Sequence, residues 1–198
     1  MGNYLCNSIK TSKYIDEQKL KKATYDNTKD FSLETLTKYV RIVDIYDGDT
    51  CICVIVLNNN IYKFHIRLAG IDTCEKTSKD PNNKNLAIKA RNRLFELITN
   101  INLSDINNEY ISRKNIREYL NKECYLIKLK CGKFDKYGRL LGHLYSIKEQ
   151  SSWAQFCGNN PKDNSNKSFN EILINEKLAY PYEGGTKLSE EKQTECLN

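Results

Sequence analysis

The sequence predicts an α+β, mainly β fold: a five-stranded Greek-key barrel of the OB type with inserted and C-terminal helices. Three observations predict it. Residues 39–71, "YVRIVDIYDGDTCICVIVLNNNIYKFHIRLAGI", alternate β-branched and aromatic residues with polar ones and break at Asp47-Gly48 and at Asn58-Asn59-Asn60, which reads as three antiparallel strands. Residues 124–146, "CYLIKLKCGKFDKYGRLLGHLYS", repeat the pattern as a second hairpin broken by Gly132 and by Tyr137-Gly138. Helical spacing occupies the chain between and after these strands.

In order along the chain, residues 1–30 are polar, lysine-rich and weakly patterned, a flexible arm with one short helix around "DEQKLKKA". The domain is expected to run from 31 to 198. After the first three strands, Asn85 to Ile98 carry Leu86, Ala90, Leu94, Leu97 and Ile98 on one face, with Lys and Arg opposite, as an amphipathic helix does. "SRKNIREYLN" (112–121) suits a second short helix. Beyond the second hairpin, Gly158 to Lys167 reads as a polar loop, "SFNEILINEKLA" (168–179) as a helix and "LSEEKQTEC" (188–196) as another. No internal repeat occurs, and 198 residues at 39% apolar content supply one core.

Net charge is +6 with 28% of residues charged, a mild bias toward anionic partners such as nucleic acid or an acidic membrane. Eight cysteines raise a disulfide scaffold, but the start "MGNYLCNSIKTSKYIDEQ" has no apolar signal region and no stretch reaches transmembrane length. Reduced thiols and an intracellular, cytoplasmic setting are therefore expected. Cys51 and Cys53, two apart on a strand, share a face and read as small core residues rather than metal ligands.

The chemistry sits in three short stretches. In "YDGDT", Asp47-Gly48 alone is a turn signal, whereas Asp49 opens a strand, where a carboxylate is well placed to point at a site. In "GIDTCE", Asp72 and Thr73 end a strand and Glu75 follows closely enough for both carboxylates to face one pocket. Asp49, Asp72 and the Thr73 carbonyl are an oxygen donor set for Ca²⁺ or Mg²⁺. In "DKYGR", the Tyr137-Gly138 turn delivers Arg139 to the next strand. With Arg67, these residues form an inventory for phosphodiester cleavage: arginine forks match phosphate oxygens, a cation polarises, and a free carboxylate orients water.

"YDGDT", "RLAGIDTCE", "DKYGR" and "NEILINEKLA", in this order and approximate spacing over about Val40 to Lys187, resemble the motifs of the staphylococcal nuclease family. The resemblance implies Ca²⁺-dependent hydrolysis of DNA and RNA, single strands preferred, leaving 3′-phosphates. It assigns Asp49, Asp72 and Thr73 to the metal and Glu75 to the attacking water. Arg67 and Arg139 fall to the phosphate, with Arg139 at the leaving oxygen. Lys136 and Tyr137 match positions that contact a terminal phosphate, Asp47 a carboxylate behind the metal ligands, and Tyr182 a base-stacking tyrosine. Ca²⁺ over Mg²⁺ comes from the resemblance alone, and a monomer is expected.

Two departures stand out: Cys74 replaces a proline that would stiffen the turn before Glu75, and residues 102–123 and 148–167 look like insertions. His65 shares a strand face with Arg67, and His143 reads as structural. Met1-Gly2-Asn3 opens like a myristoylation signal, but Cys6 stands where Ser or Thr is usual; Gly2 and Cys6 are candidate lipidation positions that would bring the chain to a membrane. The alternative function is a catalytically silent OB-type nucleic-acid-binding or scaffold module. Relatives of that kind usually lack the arginines or the metal aspartates, and this chain has both.

Overall fold

The computed structural model describes residues 14–106, 111–147 and 167–197. Gly2, Cys6 and nearly all of the 148–167 segment lie outside them. The chain divides into two compact units, Met1–Ser32 and Leu33–Asn198. In the first, helix α1 spans residues 14–22, and Asn27 ties down the turn after it, accepting from the Thr24 N–H (2.8 Å) and donating to the Lys22 carbonyl (2.9 Å).

Among its described residues the second unit has seven strands: β1 (Thr37–Ile45), β2 (Thr50–Leu57), β3 (Asn60–Leu68), β4 (Ile71–Asp72), β5 (Leu126–Phe134), β6 (Leu140–Tyr145) and β7 (Tyr180–Pro181). Five of them close a barrel in the order β1-β2-β3-β6-β5. Every neighbouring pair is antiparallel except β3 and β6, which run parallel with Arg67 opposite Leu141. The inward face carries Ile42, Cys51, Cys53, Ile55, Ile66, Leu129, Leu140 and Leu144, all buried. Cys51 and Cys53 are core residues as expected, and burial pushes the Cys53 thiol up to about 12.

The first two hairpin connections differ physically. Asn58 and Asn59 both adopt positive φ, 48° and 63°, as a two-residue primed turn requires. Gly48 does not. A Cβ there would lie 2.6 Å from Ala90 Cβ and 3.0 Å from Thr73 Cγ2, so this glycine permits close approach rather than an unusual φ. The expected break at Gly132 is also corrected: β5 runs through it, with a register irregularity between Cys131 and Phe134. β4 and β7, two residues each, are too short for any periodicity to reveal.

Helix α2 (Pro81–Thr99) starts four residues ahead of the expected Asn85. Asp80 caps it, accepting from the Asn82 and Asn83 N–H groups, and Pro81 fits the first turn, where no intrahelical N–H is needed. Its buried face is rotated from the expected one, with Asn83, Ala87, Ala90, Leu94 and Ile98 inside and Leu86 and Leu97 only half-buried. Arg91, expected on the solvent side, is 4% exposed and donates to the Ile111 carbonyl (2.5 Å). A 3₁₀ turn (Leu103–Ile106) and α3 (Arg113–Lys122) follow, and α3 packs Ile116 and Leu120 over β1.

Helix α4 (Phe169–Asn175) opens with a reciprocal Ser168–Glu171 capping box and stops earlier than its sequence pattern implies, with Lys177 at φ 55°. From it the buried Asn170 donates to the Ala69 carbonyl (2.8 Å) and the Gly142 carbonyl (3.2 Å) and accepts from the Leu144 N–H (3.3 Å). One side chain thus satisfies three backbone groups where β6 meets the chain leaving β3. Helix α5 (Glu190–Leu197) closes the described chain, and Asn83 of α2 donates to its Glu190 carbonyl (2.7 Å).

Gly48→Ala is expected to lower stability by about 1–3 kcal/mol, since an added methyl must displace Ala90 or the Thr73 side chain in a packed region. Urea denaturation checks it; an unchanged midpoint would show that the turn relaxes freely.

Candidate active site

The site forms where five segments meet at one end of the barrel: the β1–β2 connection, the end of β3, β4 with the turn after it, the β5–β6 turn and the loop after β7. Local pairing sets each position. Thr50 pairs across the hairpin with Arg67, and the Asp49 carbonyl accepts from the Leu68 N–H (2.8 Å), so Asp49 sits beside the Arg67 guanidinium. Asp72 pairs with Tyr180 in the short β4–β7 ladder. Tyr182 continues it by donating its N–H to the Gly70 carbonyl (3.0 Å).

At the centre, Arg67 Nη2 donates to Asp72 Oδ1 (2.5 Å), and Nη1 lies 2.6 Å from Asp49 Oδ2. The second contact is an ion pair without hydrogen-bond alignment, which leaves Nη1 buried and lacking an aligned acceptor. Asp49 also accepts from the Thr50 hydroxyl (2.9 Å) and from the Thr73 N–H and hydroxyl (both 3.1 Å). Burial pushes the Asp49 carboxyl up to about 8; Asp47 adds to the shift and Arg67 opposes it. Asp47 stands behind Asp49 and accepts its backbone N–H (3.3 Å).

Asp72 is fully buried. Besides Arg67, it accepts from the Tyr180 hydroxyl at Oδ2 (2.5 Å) and has Lys187 Nζ 3.1 Å from Oδ1. Burial and Asp72 together hold the Tyr180 phenol far above its ordinary range, so it stays a donor. Lys187 reaches on to Glu75 Oε1 at 2.6 Å, bridging the two acids. Burial pulls the Lys187 ammonium down, but Glu75 and Asp72 outweigh it and raise it overall.

In the β5–β6 turn, Asp135 accepts from the Tyr137 and Arg139 N–H groups (both 2.9 Å) and from Arg139 Nε (2.7 Å). These bonds hold its carboxyl below the usual range against the effect of burial, and they aim the arginine by its Nε edge. Gly138 takes φ 77°, which the tight turn requires. The Tyr137 ring, 71% exposed, has Lys136 Nζ 5.1 Å and Arg139 Cζ 5.4 Å from its centroid.

A pocket of about 480 Å³ opens over this assembly. Its walls include nine of the residues singled out in the sequence: Asp47, Asp49, Arg67, Thr73, Glu75, Lys136, Tyr137, Arg139 and Tyr182. Asp72 is the exception, lying behind the wall with its oxygens turned to Arg67, Lys187 and Tyr180. His65 is exposed and borders an adjoining depression with Tyr137 and Arg139. Cys74 is 2% exposed, and burial followed by Asp72 pushes its thiol up to about 11, so it is a neutral packing residue beside Tyr180.

Among the described residues no group of three or more His, Cys, Asp or Glu side chains is placed to hold a metal ion. Asp49 and Thr73 offer oxygens at the pocket wall, and Asp72 would join them on giving up a contact with Arg67, Lys187 or Tyr180. An all-oxygen set of this size fits a hard divalent cation that keeps water or substrate in its remaining positions.

Sequence reasoning missed three participants: Lys187, Tyr180 in its bond to Asp72, and Asp135 as the acid that orients Arg139. Asp135 had a signal in "DKYGR", since an Asp opening a turn accepts from N–H groups two and four residues on. Lys187 had none, because a lysine after two glycines carries no local mark of its partner.

A family model described as staphylococcal nuclease homologue matches residues 65–198. A search of curated proteins gave no match. The matched region begins within β3 and takes in Arg67, Asp72, Thr73, Glu75 and Arg139; β1, β2 and Asp49 precede it and complete the barrel. With more than half of its length matched, the chain belongs to the staphylococcal nuclease homologue family.

Proposed function

We propose that the protein is a Ca²⁺-dependent nuclease that hydrolyses phosphodiester bonds of DNA or RNA, prefers single strands and leaves 3′-phosphates. The observation that carries this reading is the convergence of Arg67, Arg139 and Glu75 on one pocket with Asp49 and Thr73 at its wall. Two guanidiniums, one at the end of β3 and one in the β5–β6 turn, offer forks for the oxygens of one phosphate, and the unaligned Nη1 of Arg67 is a donor that a phosphate oxygen would satisfy. A cation held by Asp49, Asp72 and Thr73 would supply Lewis-acid polarisation and charge neutralisation. Glu75, exposed at the pocket, orients the attacking water and takes its proton. Arg139, steered by Asp135, stabilises charge on the leaving oxygen. Tyr137 and Tyr182 give the pocket aromatic faces that suit unpaired bases, in keeping with single-strand preference.

Two outcomes test the reading. Purified protein should degrade single-stranded DNA with Ca²⁺ and stop on chelation, and Arg139→Ala or Glu75→Ala should each cost about 10²–10³-fold in kcat. Folded variants that cleave like the wild type would overturn the residue roles, while oligonucleotide binding without hydrolysis at any metal concentration would favour the silent-module alternative.

The raised Asp49 carboxyl also sets a pH dependence. Up to about pH 8 a proton competes with the cation for Asp49, so metal binding must release it and apparent Ca²⁺ affinity should climb from pH 6 to about 8, then level off. In the metal-free protein the sign is opposite: the raised pKa favours the protonated folded state, and stability from this group declines as pH rises toward 8. The thermal midpoint with and without Ca²⁺ across this range reads both; a Ca²⁺-induced gain independent of pH would contradict the assignment of Asp49.

A further inference from the structure

A second charged assembly lies beside the pocket, built largely by residues that look like an insertion. Asp44, 3% exposed on β1, accepts from two arginines of α3: Arg113 Nη2 and Arg117 Nη2 each lie 2.6 Å from its Oδ2. Arg41 of β1 meanwhile donates to the carbonyls of Leu120 (3.2 Å) and Asn121 (3.0 Å) near the end of α3. With Ile116 and Leu120 buried beneath it, α3 is fastened to the barrel at both ends. Arg113 also leans over the Tyr46 ring, its Cζ 4.5 Å from the centroid. Lys76, the residue after Glu75, brings Nζ to 3.7 Å from the same ring and donates to the Tyr46 carbonyl.

Tyr46 is therefore shared. It lines the active-site pocket and, on the other side, gathers two cations. A ring attracts a cation without cancelling its charge. Among the described residues, Lys76, Arg113 and Arg117 have Asp44 and Asp47 as their acidic neighbours. The crowding registers on Lys76: burial first, then Arg91 and Arg113, pull its ammonium below the usual lysine range despite the two aspartates. Arg117 keeps about half of its side chain exposed, at 52%. Surplus, half-exposed positive charge on a rigid platform next to a phosphodiester-sized pocket is a place where a further phosphate of the same strand would rest.

We propose that Lys76, Arg113 and Arg117, organised by Asp44 and Tyr46, form a backbone-binding subsite for single-stranded nucleic acid beyond the scissile phosphate, so that the protein grips long strands more tightly than short ones. The identity of the polymer rests on the nuclease reading; the anion preference rests on this cluster. Tyr46 and Asp44 are positioning residues, and the three cations make the contacts.

The test is fluorescence-anisotropy binding of labelled oligo(dT), about 4 and about 16 nucleotides long, with chelator present so that no hydrolysis occurs. The wild type should bind the longer strand more tightly and with a steeper dependence on salt. Arg117→Gln, which leaves Asp44 its Arg113 bond, should lower the log–log salt slope for the long strand by ~0.7, and Arg117→Gln with Lys76→Gln by ~1.4, while short-strand binding changes least. Melting curves establish that the variants are folded. Folded variants with the wild-type slope and length gain would overturn the subsite. So would loss of binding to phosphatidylserine vesicles in the variants with no length effect on DNA, which would make the cluster a membrane contact. Cleavage assays separate the two proposals: no metal-dependent cleavage alongside an intact length effect removes the nuclease reading and keeps the subsite, and cleavage without a length effect does the reverse.

Discussion

The arrangement around Arg67 is the constraint on which the site depends. Two aspartates with almost no exposure, Asp49 and Asp72, lie against one guanidinium at the end of β3. Burial pushes the Asp49 carboxyl up to about 8 even with Arg67 opposing it, and a buried ion pair that loses one partner typically costs about 3–5 kcal/mol. Arg67 is thus the counter-ion of two buried acids and, in the proposed function, a phosphate ligand as well. Arg139 is different, since its partner Asp135 lies in a surface turn and is well supplied with backbone N–H donors. A substitution at Arg67 therefore mixes stability with chemistry, and one at Arg139 separates them.

Lys187 extends this balance. Its ammonium spans Asp72 and Glu75, two acids assigned different tasks, and neutralises part of the charge a divalent cation would otherwise meet. Both contacts engage carboxylate oxygens that the proposed chemistry needs, one for metal and one for water. In the proposed function, cation binding at Asp72 and release of Glu75 would be linked through this one side chain. At 46% exposure it is already half in solvent.

Much of this was legible in the sequence, for identifiable reasons. Strand alternation with Asn58-Asn59 as a turn marks the barrel hairpins because pleating and primed turns are local. The placement of Arg67, Thr73, Glu75 and Arg139 at one mouth followed from where strands end. What stayed hidden is non-local. Nothing near Tyr180 says that its hydroxyl meets Asp72, 108 positions away, because two-residue strands leave no pattern. On α2 the expected Ala90, Leu94 and Ile98 are buried, but so is Arg91, which donates to the Ile111 carbonyl of a distant segment and stands where periodicity expects solvent. Gly48 was read as a turn former, whereas its role is steric and set by Ala90 on another element.

Asp44 and Arg67 show one device used in opposite senses. At Arg67 one cation faces two buried carboxylates; at Asp44 one buried carboxylate faces two cations. The register irregularity between Ile42 and Asp44 in β1 departs from simple alternation where the strand meets α3. Each knot is held by ion pairs to its minority member against the cost of burying that charge. In the proposed function a divalent cation would add positive charge at the first, and in the proposed subsite a phosphate would add negative charge at the second. Tyr46 touches both, bordering the pocket with Asp49 while holding Arg113 and Lys76 on its ring. A modest net charge of +6 says little about such a surface, because affinity for a strand depends on how many phosphates find a cation in register.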